Sequence, residues 1–355
     1  MSVVLRRVAI VGAASLKGKE LKDVLAGSDF PAQDVRLLDD DESLGQLDAV
    51  GDEVTFVQSV RAQQFEHVDL AFFASETSFT LEHAGLARQA GSAIVDLSGA
   101  LEEEAPVRAP RVEMELAGAA AKKPHGTSVS TAVVTAHPAA VVLALLLSRA
   151  HQAAGVRSAV VTVFEPASEH GKRGLDEMHA QTVHLLSFQS LPTEVFDCQV
   201  AFNLVSRYGE ESQPPLESVE RRIRAHFEKI TGGDLPVPSL MLVQAPTFHG
   251  HCFSIYIEAQ KKTSAQELGK ALNSGMVTVT EGAADAPTNV SAAGQDQVQV
   301  TVRQDPAHEN GWWLWATADN LRIAALTAVD CALLLMEARP AAQAPKKAAA
   351  RRKAK

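Results

Sequence analysis

The stretch TAVVTAHPAAVVLALLL, residues 131–147, decides the fold of this chain, because it predicts a buried strand that passes directly into a buried helix. His137 and Pro138 interrupt the apolar run. Proline suits a first helical turn, where its missing N–H has no intrahelical partner. A helix that begins inside a protein directs free amides and the positive end of its dipole at whatever lies in front of it. The pattern therefore predicts a site for an anion or a nucleophile, yet residues 137–140 contain neither cysteine nor serine.

Short apolar runs alternate with a helical pattern on the N-terminal side of this stretch. The sequences VAIV at 8–11, VRLL at 35–38, DLAFF at 69–73 and AIVDL at 93–97 read as buried strands, and residues 78–89 have helical periodicity. Strands that alternate with helices predict an α/β fold with a Rossmann-like, doubly wound parallel sheet. Ligands of such sheets bind beyond the carboxyl ends of the strands.

A glycine turn follows the first strand and opens a helix, which is the context of a dinucleotide site. Ser15 replaces the middle glycine of the usual fingerprint, so a plain strand-to-helix turn is the structural alternative. An acidic run, DDDE at 39–42, follows the second strand. An acid there accepts from a ribose 2′-OH and repels a 2′-phosphate, which favours NAD over NADP, although the run also suits a solvated loop. The predicted cofactor contacts are Gly12, Ala13, Ser15, Leu16, Gly18, Asp39 and Ser75.

The C-terminal half has a different pattern, rich in valine and aromatic residues with period-two alternation. Strands are predicted at 158–164, 200–205, 253–259, 297–303 and 312–316, and helices at 175–188, 216–230, 265–272 and 319–337. The pattern predicts an α+β domain on a mixed or antiparallel sheet with one covered face. Asp319 or Asn320 is the expected N-cap of the last helix.

These patterns divide the chain of 355 residues into four parts. We predict a dinucleotide-binding domain at 1–137 and a second, α+β domain at 138–318. A C-terminal helix follows at 319–338. The basic tail at 339–355 lacks apolar residues large enough to form a core and is expected to be disordered.

Composition excludes several classes of protein. The net charge of −10 includes the basic tail, so the body is more acidic than the total and nucleic-acid binding is not expected. The three cysteines are scattered without CxxC spacing, which argues against disulfides and a metal site. No run predicts a membrane span, and the N-terminus has no leader pattern, so a cytoplasmic location is expected.

Six motifs together resemble the aspartate-semialdehyde dehydrogenase family and cover roughly residues 5–338. They are the first strand and glycine turn at 8–18, VDLS at 95–98, FEPAS at 164–168, AFNLV at 201–205, FHGH at 248–251 and DNLR at 319–322. The resemblance implies that residues 138–318 form a catalytic and dimerisation domain like that of glyceraldehyde-3-phosphate dehydrogenase, and that the helix at 319–338 returns to the first domain. It further implies a homodimer and a role in amino-acid biosynthesis. It also implies NADP-dependent reductive dephosphorylation of an acyl phosphate through a thioester.

The resemblance also assigns the reacting residues, and most of them differ here. The family's cysteine nucleophile falls at Pro138, and its neighbouring glutamine falls at Glu165. The substrate arginine falls at Gln244 and the phosphate-binding arginine at Glu102. Of the reacting set His251 remains, so His251 and Glu165 are the candidate catalytic acid and base. Cys252 follows His251 on a strand and is expected to face the opposite way.

Three hypotheses follow for the function. The first is a catalytically degenerate paralogue, or pseudoenzyme, which still holds a dinucleotide and forms a homodimer or pairs with an active relative. The second is an NAD(P)-dependent oxidoreductase that acts on an aldehyde or acyl substrate through His251 and Glu165 without a covalent intermediate. The third, from another class, is a protein that associates with nucleic acid through the basic tail. The alternative interpretation of that tail is a solubilising segment.

Overall fold

The computed structural model describes residues 7–51, 53–117, 131–280 and 286–338. The predicted disordered tail at 339–355 lies outside these residues. The strands, numbered in chain order, are β1 Val8–Val11, β2 Val35–Asp39, β3 Leu47–Val50, β4 Glu53–Phe56, β5 Gln58–Ser59, β6 Leu70–Phe73, β7 Ala93–Asp96, β8 Val107–Arg108, β9 Ala132–Thr135, β10 Val156–Glu165, β11 Ser239–Gln244, β12 His251–Ala259, β13 Val277–Val279, β14 Val298–Gln304 and β15 Gly311–Ala318.

The helices pack on both sheets. They are α1 Leu16–Ala26, α2 Thr77–Ala90, α3 Pro110–Ala117, α4 Pro138–Ala154, α5 Gly171–Leu186, α6 Leu216–Thr231, α7 Ala265–Leu272, α8 Asn289–Ala292 and α9 Asn320–Ala338. Short 3-10 turns occur at Ala62–Phe65 and Ala167–His170.

The first sheet has the strand order β5-β2-β1-β6-β7-β9-β8, and its strands pair in parallel. The order reverses between β1 and β6, so a crevice opens outside the carboxyl ends of these strands. This confirms the predicted Rossmann-like sheet. A small antiparallel hairpin of β3 and β4, which the sequence analysis did not predict, lies apart from it.

The second sheet is mixed, with the order β11-β10-β12-β15-β14-β13. Strands β10, β12, β15 and β14 pair antiparallel, whereas β11 and β13 join in parallel at the two edges. Burial alternates along β12, because one face packs against helices and the other does not. The predicted mixed sheet in an α+β domain is therefore confirmed.

The predicted strand at 200–205 is wrong. These residues form turns, because Phe202 adopts a left-handed backbone conformation with φ of 57° that an extended strand does not allow. The only pairing of this segment within the described residues is one bridge from Val205 to Gln244 on β11, a strand that the sequence analysis missed.

Helix α4 is the central element, as expected. It begins at Pro138, shortly after β9, and every residue from Pro138 to Ala150 is buried. The last helix, α9, packs against α1 and the core of the first sheet. Asp319 caps it, since its Oδ1 accepts from the amides of Leu321 and Arg322 at 3.0 and 3.1 Å.

Candidate active site

A buried polar cluster, here called the cleft, surrounds the N-terminus of α4: Nε2 of His137 lies 3.9 Å from Glu169, and the centroid of its ring lies 5.9 Å from that of His251. Nδ1 of His137 accepts from the amide of Ala139 at 3.2 Å, so the imidazole itself caps the helix. The backbone N–H of His137 donates to Nδ1 of His226 at 2.9 Å. Pro138 is buried at the first helical position. The helix N-terminus that the sequence predicted inside the protein is therefore present. The imidazole of His137 and the ring of Pro138 occupy the position in front of it.

None of the three cysteines lies at this helix N-terminus. Cys198 and Cys252 are half-buried elsewhere, and Cys331 is buried in α9. Burial raises the pKa of Cys252 to about 11 and that of Cys331 well above its ordinary value. Cys252 pairs with Phe164, whereas Glu165 and His251 continue the two strands by one residue, so the cysteine faces the opposite side of the sheet. These thiols are poor nucleophiles at neutral pH.

Glu165 ends β10 and His251 begins β12, one residue beyond the Phe164–Cys252 pair, and Oε1 of Glu165 lies 3.8 Å from Nε2 of His170. Glu165 and His251 are both fully buried, and neither carboxyl oxygen of Glu165 nor either ring nitrogen of His251 has a hydrogen-bond partner among the described residues. Burial and the nearby charge of Glu169 raise the pKa of Glu165 well above its usual range. Burial lowers the pKa of His251. The environment therefore favours a neutral carboxylic acid beside a neutral imidazole.

Glu169, which the sequence analysis missed, is the ionised centre of the cleft. Its Oε1 accepts from Nδ2 of Asn320 at 2.8 Å, and its two oxygens lie 3.9 Å from Nε2 of His251 and of His137. Burial opposes ionisation, but the charges of the neighbouring basic groups, including Lys17, and the Asn320 hydrogen bond prevail and hold the pKa of Glu169 at about 2. Two carboxyl groups of the same cleft thus have pKa values moved in opposite directions.

Gln244 is committed to a buried network and has no atom free to clamp a ligand carboxylate. Tyr208 donates its hydroxyl to Oε1 of Gln244 at 2.6 Å, and Nε2 of His170 lies 2.9 Å from the same hydroxyl. The amide nitrogen of Gln244 donates to the carbonyls of Glu165 and Ala245. Because the tyrosine proton points to Gln244, His170 must carry its own proton on Nε2. Burial lowers the pKa of His170 to about 4, consistent with this neutral form.

Glu102 also has partners within the protein. Its Oε1 lies 2.8 Å from Nε of Arg222 and 3.1 Å from Nε2 of His226, both on α6. Burial favours the neutral acid, but the contact with His226 and the charge of Arg222 lower the pKa of Glu102 below its ordinary value. The position assigned by resemblance to a phosphate-binding arginine therefore carries an anion whose charge a neighbouring arginine offsets.

The predicted cofactor residues come together at the carboxyl edge of the first sheet. Gly12 has φ of +84°, and a Cβ on it would lie 2.5 Å from Cβ of Ser75. A Cβ on Gly18 would lie 2.1 Å from the carbonyl oxygen of Gly12. The hydroxyl of Ser15 donates to the carbonyl of Ala74 and accepts from the amide of Gly18. Ala13 and Leu16 complete the turn.

Two features test whether a dinucleotide fits this edge. Helix α1 begins at Leu16, so its first amides face the crevice where a pyrophosphate would lie. Oδ2 of Asp39 accepts from the amide of Ala14 at 2.6 Å, which fixes the acid beside the turn at the end of β2. The turn therefore fits the pyrophosphate of a dinucleotide, and Asp39 fits its ribose. A bound dinucleotide would supply hydride-transfer chemistry.

Lys17 is the second feature that the sequence analysis missed. It lies on the first turn of α1, yet its Nζ donates to the carbonyl of Leu97 at 3.3 Å, at the end of β7. Burial lowers its pKa, while Glu169, Asp96 and Glu165 oppose that shift. A charged residue between Leu16 and Gly18 of the glycine turn was the signal available in the sequence. Glu169 and Tyr208 gave no signal, because only the tertiary fold brings them to the cleft.

A Rossmann sheet and a mixed sheet that share one acid–base cleft define a two-domain protein of the dehydrogenase type. No helix in the described parts of the chain is long and apolar enough to cross a membrane. Within the same residues, no cluster of three or more histidine, cysteine, aspartate or glutamate side chains is arranged to hold a metal ion.

Comparison with known proteins narrows this class to one family. Residues 7–121 match the semialdehyde dehydrogenase NAD-binding domain, and residues 147–323 match the semialdehyde dehydrogenase dimerisation domain. A protein named USG-1 protein homolog from Pseudomonas aeruginosa is 33% identical over 93% of this chain and 97% of its own length. An aspartate-semialdehyde dehydrogenase of Rickettsia bellii is 29% identical over 92% of this chain and 96% of its own length. The chain belongs to the semialdehyde dehydrogenase family.

Solved structures agree with this assignment. The structure of a probable aspartate-semialdehyde dehydrogenase from Pseudomonas aeruginosa matches with a TM-score of 0.80 and 30% identity, over 94% of this chain and 98% of that one. Aspartate semialdehyde dehydrogenase II from Vibrio cholerae, complexed with ASA, matches with a TM-score of 0.82 and 26% identity, over 95% and 99% of the two chains.

Proposed function

We propose that this protein is a homodimeric, dinucleotide-binding member of the semialdehyde dehydrogenase family that does not use the thioester route. The observation that carries the proposal is the N-terminus of α4, where His137 caps the helix and Pro138 occupies its first position. Thioester formation requires a thiolate next to the substrate carbonyl. The buried commitments of Gln244 and Glu102 support the proposal, because neither offers a cation to an anionic substrate.

A second candidate is an oxidoreductase that transfers hydride without a covalent intermediate. The specific observation in its favour is the pair formed by Glu165 and His251, which are desolvated, lack hydrogen-bond partners among the described residues and have shifted pKa values. Perturbed titratable groups in a cleft are typical of acid–base catalysts. The two candidate functions are therefore dinucleotide binding without catalysis, and hydride transfer to or from a carbonyl compound without a covalent intermediate.

The experiment that tests the proposal joins an activity assay to a binding measurement. We expect no substrate-dependent change in absorbance at the nicotinamide wavelength with aspartyl phosphate and NADPH, or with aspartate semialdehyde, phosphate and NADP; the same assays with NADH and NAD should also show none. We also expect NAD to raise the thermal midpoint, because a ligand that binds only the folded state stabilises it, and to do so more than NADP, because Asp39 disfavours a 2′-phosphate.

An active family enzyme, assayed in parallel, shows that the substrates are competent. A thiol-alkylated sample serves as the internal control, since alkylation should change nothing if no cysteine takes part. A rate that exceeds the no-substrate control and disappears on alkylation would contradict the proposal, and the absence of any shift with either nucleotide would contradict dinucleotide binding.

The homodimer is proposed from the free face of the mixed sheet. This face carries Val160, Met241, Trp313 and Trp315, which are 55%, 57%, 36% and 36% exposed in one chain. Met241 of β11, Val160 of β10 and the two tryptophans of β15 share one face of the sheet, and their apolar side chains form a patch that a second copy would bury. Pairing with an active relative would use the same face.

We expect light scattering to give twice the mass of one chain for the wild-type protein. The double change Val160→Asp with Met241→Asp should yield monomers, because it places two charges within the buried patch. Phe56→Asp, at an equally exposed apolar residue on β4 of the other domain, is the matched control and should remain dimeric. A wild-type protein that stays monomeric at micromolar concentration would refute the dimer.

A further inference from the structure

We propose that the outer face of the β3–β4 hairpin is a docking surface and that its occupant is the basic tail of the same chain, residues 339–355. The outer face is formed by Leu47, Ala49, Val54 and Phe56. It shares no residue with the cleft or with the free face of the mixed sheet. The inference therefore goes beyond the proposed function and does not depend on it.

The hairpin turns its apolar side chains outward. Leu47 lies opposite Phe56 and Ala49 lies opposite Val54. Alternate residues of a strand point to the same face, so these four side chains lie together. All four residues are exposed, and the three larger ones are each more than half exposed. A two-stranded hairpin is marginally stable alone, and a contiguous exposed apolar patch marks an interaction surface.

The inner face of the hairpin is polar and already has its partner. Asp48, between Leu47 and Ala49, points inward and forms an ion pair with the buried side chain of Lys22 on α1. Turning the apolar face towards α1 would break this pair and leave a buried charge uncompensated, which is strongly unfavourable. The hairpin is therefore held with its apolar face outward, and the cover must come from another segment.

The sequence around this face is acidic. Residues 37–60 contain seven aspartate and glutamate residues and no lysine, arginine or histidine. Asp40, Asp41 and Glu42, which precede the hairpin, are all exposed. Opposite charges on the two sides of an interface favour association, and like charges oppose it. The surface therefore fits a basic segment whose side chains also cover apolar area.

The tail has both properties. Residues 339–355 contain seven lysine and arginine residues and no acidic residue, and the other side chains are alanine, proline and one glutamine. Lysine and arginine place their methylene stems on apolar surface while their charged ends stay in water, and a guanidinium also binds over an aromatic ring such as that of Phe56. Binding of this kind requires no folded core in the tail, so it is compatible with the expectation that the tail is disordered in isolation.

The tail is long enough to reach the hairpin. It begins after Ala338, the last residue of α9, and α1 packs against both α9 and β3. Packed helices lie about 8–10 Å apart, which puts α9 and the hairpin on the order of 20 Å from each other. The 17 residues of the tail span roughly 55 Å when extended, and the eight residues up to Lys346 span roughly 26 Å.

Limited proteolysis of the full chain measures docking. The protein and a synthetic peptide of residues 339–355 are treated with trypsin in the same tube, and intact-mass spectrometry follows cleavage after the basic residues of each. A short tether gives an effective concentration of roughly 1 mM, so a contact with a dissociation constant of about 0.1 mM slows cleavage of the tail about tenfold relative to the free peptide. At 1 M salt the two rates should agree within about twofold, because the Debye length falls to about 3 Å.

The acidic residues are tested by removing two charges at a time. Asp40→Asn with Glu42→Gln should raise the rate of tail cleavage at low salt about threefold or more, since two of the exposed charge pairs are lost. Glu210→Gln with Glu211→Gln removes two exposed charges from a turn of the second domain and should leave the rate unchanged. Both variants have the same net charge, so a difference between them depends on position alone.

The apolar face is tested without changing any charge. Leu47→Ser with Phe56→Ser should also raise the rate about threefold or more, because the lysine and arginine stems lose the apolar area that they cover. Leu81→Ser with Met114→Ser, at residues of α2 and α3 that are also more than half exposed, is the matched control and should leave the rate unchanged. Circular dichroism spectra that match wild type verify that these surface variants fold.

Carbodiimide coupling, which joins a lysine to a contacting carboxylate, locates the tail. We expect peptides that join tail lysines to Asp40 or Glu42, in protein that migrates at the mass of a single chain. Tail cleavage as fast as that of the free peptide at low salt, or equal rates in the hairpin variants and their controls, would overturn the proposal. Links found only at other carboxylates, or only between two chains, would do the same. A change in oligomeric mass for Phe56→Asp would place a second copy on this face and would also overturn it.

Discussion

Gln244→Arg, which places a cation where the family resemblance expects one, should lower the free energy of unfolding by about 3 kcal/mol or more, the cost typical of an uncompensated buried charge. The side chain of Gln244 is fully buried, accepts from Tyr208 and donates to two carbonyls. An arginine has no acceptor for the tyrosine proton and brings a charge that must be desolvated. Ionisation of Glu165 would offset only part of this cost.

Urea unfolding at neutral pH, followed by circular dichroism, measures this effect. Gln304→Arg is the matched control, because it makes the same change at an exposed position on β14 and should alter stability by less than about 0.5 kcal/mol. Equal stabilities for Gln244→Arg and wild type would mean that the cleft still accommodates the family's arginine. The proposal that this position has lost its clamping role would then fail.

The same reasoning limits attempts to rebuild the family's site. Glu102→Arg would place a second guanidinium against Arg222 and His226, where the protein now holds an anion. Pro138→Cys alone would supply a thiol at a helix N-terminus that His137 already caps. Each residue that differs from the family's pattern is therefore held by contacts with its present neighbours. Restoring one family residue at a time would break those contacts without rebuilding the site.

The protein should lose stability in two stages on acidification. His170 has a folded-state pKa of about 4 against an ordinary value of 6.5, so the unfolded chain binds the extra proton first and stability falls as the pH drops from 6.5 to 4. Glu169, with a pKa of about 2 against 4.5, is stabilising above pH 4.5 and loses that contribution as the pH falls towards 2. At 1.36 kcal/mol per pKa unit, each stage amounts to about 3 kcal/mol as an upper estimate.

Denaturation at a series of pH values tests the first stage. His170→Gln retains a donor towards Tyr208 but cannot titrate, so its unfolding free energy should fall less steeply than that of wild type between pH 6.5 and 4. His308→Gln, at an exposed histidine, controls for the loss of a histidine as such and should preserve the wild-type slope. Parallel curves for wild type and His170→Gln would show that the buried imidazole is not the titrating group.

The sequence predicted the elements well and the centre of the cleft poorly, for a physical reason. Periodicity located α6 and α7 to within a residue at each end, because an amphipathic helix carries its burial pattern in the local sequence. The start of α4 was also found, but this fully buried helix continues to Ala154, beyond the end of the apolar stretch at Leu147. The interplay of Glu169 with His137 and Asn320 depends on three segments that only the tertiary fold brings together. The error at 200–205 has a related origin, since hydrophobic residues in a turn match a strand pattern when their backbone angles are unknown.

The glycines of the first turn have a consequence for how such chains are recognised. Side chains at Gly12 or Gly18 would collide with Ser75 and with the turn's own backbone, whether or not any nucleotide is present. Folding alone therefore selects against their replacement, and the motif would persist through generations in which the ligand had been abandoned. In this chain the glycine pattern is required by the close packing of α1 on β1, so the pattern alone is not a measure of cofactor use.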